Sequence, residues 1–164
     1  MRRINFWPEI VAVCKVGYYP TRMKTKSDPL ESSAASTPYR ETTRDITIAV
    51  TPKYLPDQSD PARSYYAFAY TVEIDNHGNE TVQLQSRTWL VFSGGTLFTE
   101  VKGEGVVGEQ PVLGPKEHFE YTSSCVIKDP IGSMKGSYSF VTEDGSPFEA
   151  VIPEFDLVYP LCIN

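Results

Sequence analysis

The feature that most constrains this chain is an alternation of apolar and other side chains with a period of two residues. In residues 66–74, every second side chain is large and apolar, and those between are small or polar. Side chains of a β-strand point alternately to the two faces of a sheet, whereas a helix repeats every 3.6 residues. This segment is therefore predicted to be a strand with one face on a hydrophobic core.

Comparable strand-like segments continue along the chain from Asp45 onward. They lie at 46–50, 82–91, 97–101, 119–127, 138–141 and 148–158. Turn-forming residues separate them, as at 75–79, 93–95 and 144–145. About seven short strands with regular turns predict an all-β fold, an antiparallel sandwich of two sheets. A closed barrel is the alternative.

The segment at 82–91 contains an irregularity. Leu84 and Trp89 are separated by an odd number of positions, so a regular strand would point them to opposite faces. This predicts a β-bulge or a strand bent between two sheets. Arg87, beside Trp89, is expected to be partly buried, and to stack on an aromatic ring or bond to loop carbonyls.

Residues 1–44 differ from the rest of the chain. They hold eight Lys and Arg against four Asp and Glu, a net charge of +4, while the remainder carries −10, which gives −6 overall. Residues 24–44 are rich in Ser, Thr and Pro and are predicted to be a mobile linker in a disordered or loosely attached N-terminal extension. The sandwich domain is expected at 45–160 and a C-terminal tail at 161–164. For residues 1–22, two interpretations are considered, an organelle-targeting segment and a product of an upstream start codon, and their presence in the mature protein is open.

Charge and composition exclude several classes of function. An acidic chain with a pI near 4.9 gains nothing from the field of a phosphate backbone, so nucleic-acid binding is not expected. No apolar run approaches the length of a membrane span. The three cysteines show no C-x-x-C spacing, which favours a reducing, cytoplasmic location, with an organelle as the alternative.

The glycines at 103, 105 and 108 spell G-x-G-x-x-G, the spacing of a dinucleotide-binding loop. Here strands flank the motif, and Pro111 follows where that fold requires a helix. We therefore expect a structural loop in which Gly103, Gly105 and Gly108 adopt positive φ. The alternative is an anion nest, for which Lys102 and Arg87 are the candidate cations.

No catalytic constellation is evident, and we expect no enzyme and no cofactor. Ser123 and Ser124 lie in a predicted strand without a marked base, and a G-x-S-x-G turn is missing. His118, beside Glu117 and Glu120, could recruit a divalent cation weakly, but a solvated strand edge is favoured and no metal site is predicted.

The loop at 54–61 is the best candidate for a partner contact. Two prolines restrict it, and Tyr54 and Leu55 are its possible anchors. The alternative is that both side chains cap the core of the sandwich.

Several of these segments together resemble the ApaG family. The resemblance covers about residues 45–160 and is carried by 54–59 (YLPDQS), 66–70, 82–89, 101–111 (VKGEGVVGEQP), 119–125, 132–138 and 152–153. It implies a fibronectin-type-III-like sandwich of about seven strands. Family members often have His after the strand Arg, but Thr88 stands here, which puts any role of that His in doubt.

The family resemblance implies little chemistry. Its bacterial members have no established activity and are associated with cobalt and magnesium tolerance. Their gene lies beside that of a diadenosine tetraphosphatase. In eukaryotes the domain resembles a substrate- or partner-binding module in F-box proteins and a polymerase-interacting protein. We therefore expect a non-catalytic module that binds an unidentified protein partner. The alternative is a sensor that binds a polyphosphate nucleotide or a divalent cation at the Gly103–Gly108 loop. The oligomeric state is open.

Overall fold

A computed structural model describes residues 37–162, which form an all-β structure, as the alternation predicted. Three short 3-10 turns lie at Pro56–Gln58, Pro61–Arg63 and Pro160–Cys162. No helix among these residues is long and apolar enough to cross a membrane. The strands are β1 (Tyr39–Thr43), β2 (Ile46–Tyr54), β3 (Tyr66–Asn76), β4 (Val82–Ser93), β5 (Thr96–Glu104), β6 (Val112–Leu113), β7 (His118–Ile127), β8 (Ile131–Thr142) and β9 (Pro147–Val158).

The strands form two antiparallel sheets, and the prediction of a sandwich is confirmed. One sheet has the order β1-β2-β3-β7 and the other the order β5-β4-β8-β9, with the short β6 also pairing with β4. Strand β9 lies against β1 and β2 of the opposite sheet. The structure has more strands than the sequence predicted because β1 and β6 are too short or too polar to show a clear alternation.

Trp89 connects the two sheets at the centre of the core. Its ring is 1% exposed and lies 5.4 Å from the ring of Tyr70, 6.1 Å from that of Tyr138 and 6.0 Å from that of Phe155. Aromatic pairs at such distances stabilise a core beyond the area that they bury. The period-two segments of four different strands therefore meet at one indole.

The irregularity predicted in β4 is a β-bulge. The register between β4 and β8 shifts between Leu84 and Ser86, and Gln85 is the extra residue. The bulge lets both Leu84 and Trp89 face the core, where they are 0% and 1% exposed. The alternative of a strand bent between two sheets is wrong, since β4 pairs with β8 of one sheet along its whole length.

The sandwich begins before the expected boundary at residue 45. Residues 39–43, assigned from the sequence to a mobile linker, form β1 and pair with β2. The Tyr39 ring lies 6.2 Å from that of Phe155, and its hydroxyl donates to Asp156. A polar edge strand resembles a linker in composition, which explains the error. The expectations for residues 1–22 and for most of the linker fall outside the described residues.

Asn76, at the end of β3, is a buried polar residue that joins three segments. Its side-chain amide lies 2.8 Å from the carbonyl oxygen of Glu80, 3.1 Å from that of Leu113 and 3.0 Å from that of Gly114. Its side-chain oxygen accepts from the backbone amide of Gly78. The turn after β3 and the segment before β7 are thus held by one side chain.

We expect Asn76→Ala to lower the free energy of unfolding by about 2–3 kcal/mol, because it leaves buried carbonyls without a donor. Asn79→Ala, an exposed change in the same turn, should alter it by less than about 0.5 kcal/mol. Urea denaturation of both variants tests this. Equal losses would show that Asn76 does not hold these segments.

The contacts of Tyr39 lead to a second expectation. The free energy of unfolding of a chain that begins at Thr43 should be about 1–2 kcal/mol lower than that of a chain that begins at Thr37. The shorter chain lacks most of β1 and the partly buried Tyr39. Chemical denaturation of the two chains measures the difference. Equal stabilities would mean that β1 adds nothing to the sandwich.

Candidate functional site

The glycine-rich segment forms a tight turn after β5. The amides of Val106 and Glu109 donate to each other's carbonyls, both at 2.8 Å. The two residues between them have positive φ, 46° at Val107 and 79° at Gly108, which is typical of a two-residue type I′ hairpin. Val106 is 0% exposed and so anchors the turn in the core. Val107 is strained, because β-branched residues rarely adopt positive φ.

The three glycines of the motif serve different purposes. Gly105 and Gly108 have φ of 57° and 79°, as predicted, but Gly103 does not adopt positive φ, so that expectation is wrong. Gly103 instead makes room for a side chain: a Cβ there would lie 3.1 Å from Nη2 of Arg87. A Cβ at Gly105 would lie 2.1 Å from the carbonyl oxygen of Glu109. Close packing thus accounts for glycine at two of the positions.

The turn also supplies hydrogen-bond donors to the extra residue of the bulge in β4. The carbonyl of Gln85 accepts from the amide of Gly105 at 2.9 Å and from the side-chain amide of Gln110 at 2.8 Å. An extra residue in a strand leaves ladder groups unpaired, and such groups need other partners. The amides of Gly105 and Val106 both donate to backbone carbonyls, so they do not point at an anion.

Arg87 is half-buried and bonds to loop carbonyls, which confirms one of the two arrangements predicted for it. Its Nη1 donates to the carbonyl oxygens of Glu104, at 3.0 Å, and Gly105, at 2.5 Å. Arg87 pairs with the buried Tyr138 of β8, and directly paired residues share one face of a sheet. The guanidinium therefore lies at the core side of β4 and holds the turn.

Lys102 does not join Arg87. It pairs with Thr88, the neighbour of Arg87 in β4, and therefore points to the opposite face of the sheet. Its Nζ lies 2.8 Å from a carboxylate oxygen of Glu100 on an exposed surface. The two cations that the anion hypothesis requires are thus on different faces.

Two tyrosines from opposite sheets meet beside Arg87. The hydroxyls of Tyr121 and Tyr138 share a hydrogen bond across the core. Burial raises the pKa of the Tyr138 phenol well above its ordinary value; Tyr121 adds to the rise, and Arg87 opposes it. The phenol therefore stays protonated near neutral pH.

Tyr54 and Leu55 lie at the end of the sandwich where β2 and β7 finish. The Tyr54 ring packs 5.4 Å from that of Phe68 and 5.2 Å from that of Tyr159, and both Tyr54 and Leu55 are half-buried. This is the capping arrangement that the sequence left as an alternative. The Tyr54 ring packs against the core, whereas Leu55 begins a loop whose next residues, 56–58, are exposed.

Exposed apolar residues that the sequence did not single out surround this end. We call it the loop end; it comprises 55–65, 94–95, 128–130 and 159–162. Tyr65 is 40%, Ile131 51% and Leu161 68% exposed. The strands bring these distant residues together, since Tyr159 contacts Tyr54 and Tyr66 and its amide bonds to the carbonyl of Pro130. Proline and turn-forming residues in the sequence indicate each of these loops separately. No local feature of the sequence indicates that the loops meet at one end of the sandwich.

The contacts of the glycine turn predict a difference between two similar variants. Gly105→Ala should lower the free energy of unfolding by more than about 2 kcal/mol. Its Cβ would clash with the Glu109 carbonyl, and its positive φ would also be strained. Gly108→Ala should cost about 1 kcal/mol, since only its positive φ is strained and nothing lies within 4 Å. Thermal denaturation compares them, and equal losses would contradict the role of close packing.

Comparison with known proteins agrees with this architecture. Residues 56–142 match the family model described as DUF525, the ApaG domain. The chain is 52% identical over 122 residues to Protein ApaG of Methylobacterium nodulans, which covers 74% of this chain and 94% of that protein. Protein ApaG of Bordetella pertussis is 52% identical over 120 residues, covering 73% and 92%.

Solved structures show the same relation. A crystal structure described as the ApaA protein of Bordetella pertussis superposes with a TM-score of 0.69 at 52% identity, covering 71% of this chain and 94% of that one. A second X-ray structure, of a structural genomics target, has a TM-score of 0.67 at 38% identity, covering 71% and 88%. On its sequence and its sandwich fold, this chain belongs to the ApaG family.

Proposed function

We propose that the protein is a non-catalytic binding module that docks a protein partner at its loop end. The observation that carries the proposal is the distribution of exposed apolar side chains. Of the six large hydrophobic residues exposed among residues 37–162, three lie in or directly beside the loop end: Tyr65, Ile131 and Leu161. Clusters of exposed apolar residues mark interaction sites, whereas single ones are ordinary.

The loop end is also well ordered by its own bonds. The Ser59 hydroxyl donates to the carbonyl of Leu55 at 2.7 Å and accepts from the amide of Ala67 at 2.9 Å. A proline begins each of the three short 3-10 turns, at 56, 61 and 160. Such a surface loses little conformational entropy when a partner binds. Leu55 belongs to this surface, and the Tyr54 ring packs beneath it, against Phe68 and Tyr159.

The absence of catalysis is part of the proposal. His118 bonds to Asp75 at 2.7 Å rather than to a hydroxyl or thiol, and the buried Tyr138 phenol stays protonated. We include in the proposal a cytoplasmic location and the association with cobalt and magnesium tolerance that the family resemblance implies. A non-catalytic module would contribute to such tolerance by binding a partner.

A pair of double variants tests the docking surface. Tyr65→Ser with Leu161→Ser removes two exposed side chains of the loop end, and we expect it to reduce protein capture from a lysate of the source cells at least tenfold. The matched control is Val112→Ser with Val151→Ser, which removes two apolar side chains of 58% and 50% exposure away from the loop end.

All four positions are exposed, so both variants should keep the stability of the wild type within about 1 kcal/mol. The proteins captured are quantified by mass spectrometry against the wild type. The proposal requires that a set of proteins be lost with the loop-end variant and kept with the control. If both variants capture the same set as the wild type, the loop end is not the interface.

A further inference from the structure

Four side chains capable of metal ligation form a cluster on the outer face of the four-stranded sheet. Glu73 and Asp75 lie on β3, and His118 and Glu120 lie on β7. Glu73 pairs with Glu120, and Asp75 pairs with His118. Directly paired residues of antiparallel strands share a face, so the four side chains form two adjacent rows. Only the pairing of β3 with β7 creates this cluster.

The two glutamates oppose each other without a cation between them. Like charges directly across a sheet are destabilising, and proteins normally avoid or compensate them. Among the described residues, neither Glu73 nor Glu120 forms an ion pair within 4 Å. Arg40 lies in the same row but two strands from Glu73, beyond Ala49. No cation of the described residues therefore lies within ion-pair distance of either carboxylate.

The imidazole of His118 is oriented by Asp75. Its Nδ1 lies 2.7 Å from a carboxylate oxygen of Asp75. A carboxylate accepts a hydrogen bond, so Nδ1 carries a proton, and the nitrogen left to bind a metal ion is Nε2. A carboxylate that fixes the tautomer in this way is the usual support of a metal-binding histidine.

We propose that His118, Glu73 and Glu120 bind a divalent transition-metal ion, with Asp75 as the residue that positions the imidazole. One donor atom of each of the three ligands lies within 4.8 Å of the other two. Ligands of a tetrahedral zinc ion stand about 3.3 Å apart, given metal–ligand bonds of about 2.0–2.1 Å. Binding would therefore require the glutamate side chains to change rotamer, and water would complete the coordination.

The ligand set selects the class of ion. One imidazole and two carboxylates suit Zn²⁺ and its neighbours in the first transition row, whereas Mg²⁺ prefers oxygen ligands in an octahedral shell and keeps most of its waters.

The cluster lies at the opposite end of β7 from the loop end, about 30 Å away at the usual rise of a strand. The proposal of a metal site therefore does not depend on the proposed docking surface, and the two can be tested separately.

Zinc titration of the full chain, followed by NMR, tests the site. Zn²⁺ should move the backbone and side-chain signals of Glu73, His118 and Glu120, and an equal concentration of Mg²⁺ should not. His118→Ala should abolish these shifts, and Asp75→Ala should weaken zinc affinity about tenfold. The matched control is His77→Ala, which removes the other histidine, exposed in the turn after β3.

Other zinc ligands are distinguished by the same spectra. Zinc that perturbs His77 or the exposed Cys162 but leaves the signals of His118 in place would overturn the proposal. Equal zinc affinity of wild type and His118→Ala would also overturn it, and so would equal shifts with Mg²⁺. Should His118→Ala fail to fold, Glu120→Gln removes one ligand charge at an exposed position and must weaken zinc binding at least tenfold.

Discussion

The β-bulge in β4 is the constraint on which most of this structure depends. Leu84 and Trp89 must both face the core, and a regular strand cannot place them there because their spacing is odd. Gln85, the inserted residue, resolves the conflict by shifting the register after it. Trp89 can then join the two sheets, and Arg87 is turned toward the core side as well, because it shares the parity of Trp89.

The glycine motif follows from this bulge. The insertion leaves the carbonyl of Gln85 without a ladder partner, and the turn after β5 supplies two donors, from Gly105 and Gln110. Arg87 in turn binds two carbonyls of the same turn. The motif therefore has the spacing of a dinucleotide loop for a different physical reason: close approach of backbone and guanidinium, with the amides of Gly105 and Val106 bonded to backbone carbonyls.

The sequence predicted the parts of the candidate site unevenly. The positive φ of Gly105 and Gly108 was predictable, since it depends on residue type and near neighbours, and the carbonyl contacts of Arg87 were one of two arrangements predicted for it. The division of Lys102 and Arg87 between two faces depends on register with β5, and the exposure of Ile131 and Leu161 depends on which loops share an end. β1 was missed because a polar edge strand lacks a buried alternation.

The sequence by itself determined the all-β class, the faces of the main strands, an irregularity between Leu84 and Trp89 and the family, because these depend on local periodicity and residue identity. Only the tertiary structure decided which strands are neighbours. Alternation assigns a side chain to a face, but any partner strand with the same alternation satisfies it equally well. Glu73 therefore meets Glu120, and Asp75 meets His118, only because β3 pairs with β7 across more than 40 residues of chain.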